Sequence, residues 1–414
     1  MRARYPDRTG FAESRGVKIY WEQHGDGDHT VVFLPTWQIY DSRVWKMQVP
    51  YFARHFRVIT YDAPGNGRSG RPATGFDFDH VAADALSVMD ATDTARASVV
   101  TLSRGTLPGI VLAAEHPERV AHLVLIGSPG FSPPRGAEVF EPRERYEGWG
   151  KFNVNYWRQD LRGFAEFFAS QVVSEPHSTK AREDLTAWTL GTTSEILRAT
   201  VEEWRSRTSL REHAGKIHVP TLIVHGVEDP VRSVECSKEV HTVIAGSTFV
   251  PLEGAGHAPN VRDPVRTNLL IREFVEPARA GQRAWQRAMR RPRRALFISS
   301  PIGLGHALRD VAIARELRAL HPDLEIDWLA QDPVTRVLEA RGERVHPASR
   351  HLANESAHIE SEAGEHDLHV FQTWRTMDEI LLANFMVLHD VRRYLGIGLF
   401  WFMHPHACRS RRAR

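Results

Sequence analysis

Short runs of apolar, β-branched residues alternate with longer amphipathic segments between residues 17 and 275. The last six of these seven runs are apolar on both faces, which is typical of strands in a covered sheet. Amphipathic stretches such as DHVAADALSVMDAT, which predict helices, separate several of the runs. The runs are VKIYWEQ, TVVFLP, FRVITYD, ASVVTLS, AHLVLIG, PTLIVHG and STFVPL. The alternation predicts the α/β class, with a mostly parallel sheet and helices on both of its faces.

One region interrupts the alternation, from about residue 133 to residue 215. It contains no convincing strand pattern and is rich in aromatic and charged residues, as in EGWGKFNVNYWRQDLRGFAEFF. We interpret it as a helical cap inserted over the edge of the sheet. Its aromatic side chains either line a pocket or form the core of the insertion itself.

A basic stretch follows and predicts a domain boundary. At 414 residues the chain is long enough for two domains, and we assign the first to residues 1–275. Residues 276–293 are interpreted as a basic linker, because six arginines fall between positions 283 and 294 with no acidic residue among them. Such a run of like charge is usually solvated, and contact with an anionic partner is the alternative.

A second strand and helix pattern begins after the linker, at ALFISS. The further strands LEIDWLA and ERVHPA, with helices between them, predict a partial second Rossmann-like α/β domain over residues 294–391. Residues 392–414 carry six arginines and no acidic residue. We interpret them as a disordered basic tail or as sequence read out of frame.

Composition limits the remaining classes of function. The formal net charge is only +2, so the whole chain gives no electrostatic reason to bind nucleic acid. The two cysteines, Cys236 and Cys408, lie far apart and form no metal or disulfide pattern, which fits a reducing compartment. The N-terminus lacks the apolar core of a signal peptide, and the apolar run at 395–403 is about half the length of a membrane span. We therefore expect a cytoplasmic protein with no membrane span.

The stretch ASVVTLSRGTLPGI contains a candidate nucleophile, because Ser103 lies between a predicted strand and a predicted helix. A serine hydroxyl attacks well only when a base removes its proton and a carboxylate orients that base. Small residues are expected two positions on either side of such a serine, where the strand and helix backbones approach each other. Gly105 satisfies this on one side, whereas Thr101 occupies the other position.

A carboxylate and a histidine follow later strands. Asp229 stands in VHGVEDP, just after TLIVHG, and His257 stands in EGAGHAPN, after TFVPLEG. Each of them alone is typical of a turn. Together with Ser103 they stand at the carboxyl ends of predicted parallel strands, where open α/β sheets gather their ligands. The order Ser, Asp, His therefore predicts a catalytic triad.

These motifs resemble the α/β-hydrolase fold family over residues 17–275. The matching stretches are LPTW, YDAPGNGRS, SRG, HGVEDP and GAGHAPNVRDP. The resemblance implies Ser103 as the nucleophile, His257 as the general base and acid, and Asp229 as the group that orients the histidine. We expect no cofactor and no metal.

The resemblance also implies an oxyanion hole, in which backbone N–H groups stabilise developing negative charge. One donor would be the N–H of Arg104, directly after the nucleophile, and the other the N–H of Trp37, in the loop after TVVFLP. The cation of Arg104 either forms a salt bridge to the cap or attracts an acidic substrate. Thr101 must fit its methyl group against the following helix, and we expect the turn to form because Gly105 remains.

The stretch ALFISSPIGLGHALRD resembles the opening of the acceptor half of two-domain glycosyltransferases with Rossmann-like halves, and the match runs from about residue 294 to 391. His306 falls where some of those enzymes place a base or an acceptor contact. We expect a truncated acceptor half without a nucleotide-sugar site, and therefore no transferase activity.

We predict a serine hydrolase that cleaves a small hydrophobic ester, or a related carbonyl compound, through an acyl-enzyme intermediate. Its partner is a small-molecule substrate, and its oligomeric state stays open. Hydrolysis of a carbon–carbon bond in a diketone and a cofactor-free haloperoxidase activity would use the same triad. A non-catalytic binding protein, with its turn spoiled by Thr101, is one further alternative. A sugar transferase in the C-terminal half is the other.

Overall fold

The computed structural model describes most of the chain in two compact units, Arg4–Pro277 and Met1–Ala3 with Ala278–Arg414. The described residues are 2–132, 136–276, 293–299, 301, 304–365 and 376–395. Nearly all of the predicted linker, 276–293, lies outside the described residues.

An eight-stranded sheet forms the centre of the first unit, with the strand order β1-β2-β4-β3-β5-β6-β7-β8. The strands are β1 (Arg8–Ser14), β2 (Val17–His24), β3 (Thr30–Phe33), β4 (Arg57–Tyr61), β5 (Ala97–Leu102), β6 (Val120–Ile126), β7 (Thr221–Gly226) and β8 (Thr248–Leu252). β2 pairs antiparallel with β1 and with β4, and every pair from β4 onward is parallel. The prediction of a mostly parallel sheet is confirmed.

The strand β1 is one element that the sequence pattern does not predict. Its sequence, RTGFAES, is largely polar, and only Ala12 and Ser14 have buried side chains. An edge strand with a single antiparallel partner can face water on one side, so it needs little apolar surface. It therefore lacks the two-sided apolar character by which the inner strands are recognised.

Helices cover both faces of the sheet. The helices of the first unit are α1 (Val49–Phe52), α2 (Phe78–Ala91), α3 (Thr106–Glu115), α4 (Val154–Gln159), α5 (Leu161–Val172), α6 (Thr179–Thr189), α7 (Ser194–Glu202), α8 (Leu210–Gly215), α9 (Val234–Val243), α10 (Pro259–Arg262) and α11 (Pro264–Val275). Val32 of β3 joins the core cluster formed with α2, α3, α8 and α9. The next residue, Phe33, points to the opposite face and packs against Trp45 and Phe52.

Helices α4 to α8 lie between β6 and β7, within the stretch interpreted as a cap. Ring centroids of Phe152, Trp157, Phe164 and Phe168 lie 4.9 to 6.0 Å apart in their contacting pairs. Trp157 and Phe164 are fully buried, whereas Phe152 and Phe168 also line a cavity. Both interpretations of the aromatic residues therefore hold, because one cluster forms the core of the cap and the wall of a pocket.

The second unit contains a pair of parallel strands connected by a helix. Its elements are β9 (Arg293–Ser299), α12 (Leu304–Leu320), β10 (Leu324–Ala330), α13 (Val334–Glu339), α14 (Glu355–Glu365) and α15 (Asp378–Leu395). The prediction of a third strand at ERVHPA is wrong, since this stretch forms only an isolated bridge between Val345 and Trp328. Pro347, which has no N–H to donate to a strand, begins a 3₁₀ helix there instead.

A two-stranded sheet is less than a Rossmann-like domain, and the described residues of the second unit add only helices and one isolated bridge to it. His306 lies exposed on α12. Of the predicted basic tail, residues 392–395 belong to α15 and the rest lie outside the described residues. Among the helices that the structure describes, none combines the length and the hydropathy needed to cross a bilayer.

Candidate active site

Ser103 stands at the turn between β5 and α3. Its φ is 53°, in the left-handed region that few residues other than glycine adopt. Such backbone strain persists only where the surrounding structure enforces it, and it is typical of functional sites. A sharp strand-to-helix turn of this kind exposes the serine hydroxyl at the carboxyl edge of the sheet.

The residues after Ser103 bring the loop that contains Trp37 to the turn. A Cβ on Gly105 would overlap the carbonyl oxygen of Pro35 and would lie 3.1 Å from Thr36 Cα. Glycine at this position therefore permits the backbone of the loop to touch the backbone of the turn.

The residues before Ser103 show how Thr101 is accommodated. Its hydroxyl donates a hydrogen bond of 2.8 Å to the carbonyl oxygen of Val124 on the neighbouring strand. Its methyl group faces Gly109 of α3, where a Cβ would lie only 2.8 Å from Thr101 Cγ2. The small residue needed for this close approach is thus supplied by the helix.

His257 connects Ser103 with Asp229. It lies between β8 and α10, and its side chain is buried. Its Nε2 atom is 2.8 Å from Ser103 Oγ, and its Nδ1 atom is 2.6 Å from Asp229 Oδ2. The three residues that the sequence predicts as a triad therefore form one continuous chain of hydrogen bonds.

Asp229 is held by more than its contact with His257. Its Oδ1 atom accepts from the backbone N–H groups of Val231 at 2.7 Å and Arg232 at 3.0 Å. Burial by itself would raise the pKa of Asp229, but the charge of His257 and the hydrogen bonds from His225, His257 and the Arg232 backbone outweigh it. The pKa of this carboxyl group therefore lies well below its usual value, and the group is an anion at neutral pH.

A second histidine contacts the same carboxylate oxygen. His225 Nε2 lies 3.1 Å from Asp229 Oδ2 and 3.0 Å from the carbonyl oxygen of Arg232. Both neighbours only accept hydrogen bonds, so His225 carries its proton on Nε2. Its Nδ1 atom, 2.6 Å from Ser237 Oγ, then accepts the serine proton in the neutral ring.

The two residues predicted to supply oxyanion donors, Trp37 and Arg104, line the same cavity as Ser103 and His257. The cavity has a volume of about 150 Å³ and a wall that is mostly apolar. Its lining residues are Thr36, Trp37, Ile39, Tyr40, Leu102, Ser103, Arg104, Pro129, Trp149, Phe152, Phe168, Val172, Val201, Trp204, Val231, Arg232 and His257. A cavity of this volume has room for a molecule of about the size of benzene.

The interpretation of Arg104 as a salt bridge to the cap is wrong. Its guanidinium donates to Gln38 Oε1 at 3.0 Å and to the carbonyl oxygens of Phe76 at 2.9 Å and Thr200 at 3.1 Å. None of these acceptors is a carboxylate. The cap contributes the backbone carbonyl oxygen of Thr200 at this position.

The Arg104 side chain is 4% exposed, and its guanidinium lies over the rings of Phe78 and Trp204 at 4.9 and 5.2 Å. Burial lowers the pKa of Arg104 to about 9, although the charges of Glu203 and Asp77 oppose this shift. Since its contacts join the turn to the cap and to the loop after β3, the side chain acts as a clamp between them.

A protein-family model described as alpha/beta hydrolase fold matches residues 30–264, which is more than half of the 414-residue chain. This chain belongs to the α/β-hydrolase fold family. A non-heme chloroperoxidase of Streptomyces lividans is 28% identical over 278 residues, which cover 64% of this hydrolase and 98% of the relative. A 2-hydroxymuconate semialdehyde hydrolase of a Pseudomonas strain is 27% identical over 241 residues, which cover 57% of this chain and 82% of that one.

Among solved structures, an esterase from Rhodococcus superposes with a TM-score of 0.57 and 24% identity, covering 65% of this hydrolase and 98% of the esterase. This likeness supports the fold. The comparisons give no support to the glycosyltransferase resemblance of residues 294–391.

One cluster of potential metal ligands occurs among the described residues of this hydrolase. Ligand atoms of Asp79, Glu115 and His213 lie within 4.8 Å of one another. The Arg207 guanidinium binds both carboxylates, at 3.0 Å from Asp79 Oδ1 and 3.0 Å from Glu115 Oε2. Because this cation already pairs with both carboxylates, we interpret the cluster as an ion-pair network.

The sequence analysis missed several residues around the site. His225 and Ser237 support Asp229, and Gly109 receives the methyl group of Thr101. Thr200 of the cap contacts both Trp37 and Arg104. Only Gly109 could have been suspected, because a glycine inside a predicted helix usually has a packing reason.

Proposed function

We propose that this α/β hydrolase is a serine hydrolase that cleaves small hydrophobic esters through an acyl-enzyme intermediate. The observation that carries the proposal is the hydrogen-bonded chain from Ser103 through His257 to Asp229, beside an aromatic-lined cavity. A nucleophile, a base and an orienting carboxylate within hydrogen-bond distance are the components that acyl transfer requires.

In the first half of the reaction, Ser103 Oγ attacks the ester carbonyl carbon while its proton passes to His257 Nε2. The anionic oxygen of the tetrahedral intermediate accepts hydrogen bonds from the backbone N–H groups of Trp37 and Arg104. The bond to the alcohol oxygen then breaks, and His257 gives the proton to the departing alcohol. Asp229, an anion by virtue of its lowered pKa, stabilises the imidazolium that exists between these transfers.

In the second half, water attacks the acyl-enzyme and gives its proton to His257 Nε2. The bond between the acyl carbon and Ser103 Oγ breaks, and His257 returns the proton to Ser103. The product acid leaves, and the enzyme recovers its starting state.

The cavity has room for a small group of the substrate. Its volume of about 150 Å³ matches an acyl or aryl group of about the size of a benzene ring. Its mostly aromatic and aliphatic lining favours an apolar group, and of the two arginines in the lining, Arg104 has its guanidinium bound to Gln38, Phe76 and Thr200. We therefore expect short acyl esters, or small aromatic esters, as substrates rather than long-chain ones.

The test combines a fluorophosphonate probe with p-nitrophenyl esters of increasing acyl length. Wild-type protein should be labelled and should hydrolyse acetate and butyrate esters faster than octanoate, whereas Ser103→Ala should do neither. Absence of labelling in the wild type would favour the non-catalytic binding protein instead.

Two relatives bear the names of other reactions, for which the same three residues are our candidates in this chain. A chloroperoxidase and a 2-hydroxymuconate semialdehyde hydrolase are similar to this chain over 64% and 57% of its length. Peroxide-dependent halogenation and cleavage of a carbon–carbon bond in a diketone should therefore be assayed beside ester hydrolysis. If kcat/KM in either assay is higher than for the esters, and Ser103→Ala abolishes the activity, that reaction would replace ester hydrolysis as the proposed function.

A further inference from the structure

A single cap residue contacts both side chains whose backbones supply the oxyanion donors in the proposed function. Thr200 lies in α7 and is fully buried. Its Oγ1 atom accepts a hydrogen bond of 2.7 Å from the indole Nε1 of Trp37. Its carbonyl oxygen accepts one of 3.1 Å from the guanidinium of Arg104.

The hydroxyl of Thr200 is committed to these contacts. It donates its only proton to the carbonyl oxygen of Leu197 at 2.6 Å, so towards Trp37 it can only accept, through a lone pair on its oxygen. An indole N–H can only donate, and leaving it buried without an acceptor is unfavourable. The Trp37 ring is therefore held to the cap by a specific bond as well as by packing against Phe152, Phe168 and their neighbours.

The two donors come from different segments of the chain. Trp37 follows β3, and Arg104 follows Ser103 at the turn. The strands that precede them, β3 and β5, are paired, and the Leu34 N–H donates to the Val100 carbonyl oxygen. Beyond the strands, the two segments meet at Gly105 and through side chains, namely Gln38 with Arg104 and Thr200 with both. Thr200 is therefore one of the groups that connect the two donor segments.

We propose that Thr200 is a positioning residue through which the cap holds the oxyanion hole in its reactive geometry. The inference rests on the proposed function, because it assigns the two donors to Trp37 and Arg104. An oxyanion hole acts on the transition state, so a loosened hole should lower kcat and leave KM nearly unchanged.

The decisive variant is Thr200→Val, which keeps the shape of the side chain and removes the acceptor for Trp37. A shift of a fraction of an ångström in one donor should lower kcat about tenfold, given that about 1 Å costs about 100-fold. Thr200→Ser keeps the hydroxyl and should retain most of the activity. Affinity for phenylboronic acid, which forms a tetrahedral adduct with a reactive serine, should fall in parallel with kcat.

Thr189→Val is the matched control. Thr189 is also a fully buried cap threonine, and its hydroxyl donates to the carbonyl oxygen of Leu185 at 2.8 Å. It does not line the cavity. This variant removes the same kind of helix hydrogen bond and should leave kcat and boronate affinity unchanged.

The outcomes separate the two proposals. If the wild type hydrolyses no ester and is not labelled at Ser103, the proposed function fails. If the wild type is active and Thr200→Val keeps its kcat, or loses no more than Thr189→Val, the role of Thr200 is overturned. Should Thr200→Val fail to fold, Trp37→Phe breaks the same bond from the other side. An unchanged kcat and boronate affinity in that variant would overturn the role as well.

Discussion

Close packing is needed both before and after Ser103 in the sequence, and in each case a glycine provides the space. The two glycines stand in different elements. After Ser103, Gly105 lies in the turn itself and makes room for the backbone of the loop at Pro35 and Thr36. Before Ser103, the strand carries Thr101, and the room is made by Gly109 in the helix that packs on it.

The difference lies in what each glycine touches. Gly105 touches backbone atoms, which no substitution can make smaller. Gly109 touches the methyl group of a side chain, which a substitution can remove. A larger residue at position 105 should therefore be harmful in any background. A larger residue at position 109 should be tolerated once the methyl group of Thr101 is removed.

The largest effect is expected from Gly105→Ala. Its Cβ would overlap the Pro35 carbonyl oxygen, so the loop that carries Trp37 must move. A displacement of about 1 Å should lower kcat/KM for p-nitrophenyl acetate about 100-fold. Gly215→Ala, where a Cβ meets nothing within 4 Å, is the control and should retain wild-type kinetics. Equal activity in the two variants would contradict the close approach of the loop.

Gly109→Ala should act mainly on stability. Its Cβ would lie 2.8 Å from Thr101 Cγ2, and such overpacking lowers the free energy of unfolding by about 1–3 kcal/mol. In a Thr101→Ser background, which lacks the methyl group, the same substitution should be neutral or stabilising, because alanine favours a helix over glycine. Urea unfolding of the wild type, the two single variants and the double variant measures this coupling. Additive changes in the free energy of unfolding would contradict the contact between Gly109 and the Thr101 methyl group.

Thr101→Gly tests whether the threonine strains the turn. Since its methyl group has space at Gly109 and its hydroxyl binds the Val124 carbonyl, we expect no gain in kcat. Losing that hydrogen bond and the preference of threonine for a strand should lower the free energy of unfolding by about 1–2 kcal/mol. A rise in kcat would show that the threonine side chain does strain the turn.

The smallest effect concerns pH. Neither Gly105 nor Gly109 contacts a titratable side chain, so the ratio of activities between Gly105→Ala and Gly109→Ala should not change with pH below the Arg104 pKa of about 9. Asp229 should respond, because its folded pKa is lowered. The stability it contributes is present above about pH 4 and is lost as the pH falls through the folded value.

Between pH 7 and pH 3 this loss should reach about 1 kcal/mol in the wild type and in Ser103→Ala. Asp229→Asn should lack this part of the loss in the free energy of unfolding, because it has no carboxylate to protonate. Thermal unfolding across this pH range measures the difference, and parallel curves for all three proteins would rule out the lowered pKa.

Local patterns in the sequence were sufficient for the sheet and for the candidate triad. The inner strands were recognisable because both of their faces are apolar, and a parallel sheet places Ser103, Asp229 and His257 at one edge. Their catalytic roles stay a prediction for the labelling experiment. Where the local pattern was weak or misleading, as at the polar strand β1 and at ERVHPA, the strand assignment failed.

The sequence by itself determined which residues stand at the ends of strands, because strand periodicity and turn residues are properties of neighbours along the chain. Only the tertiary structure decided what those residues touch. The packing of α3 on β5 places Gly109 against the methyl group of Thr101. The packing of the cap places a carbonyl oxygen, and not a carboxylate, beside the Arg104 guanidinium. The bond from Trp37 to Thr200 joins positions 163 residues apart, and no local pattern specifies such a contact.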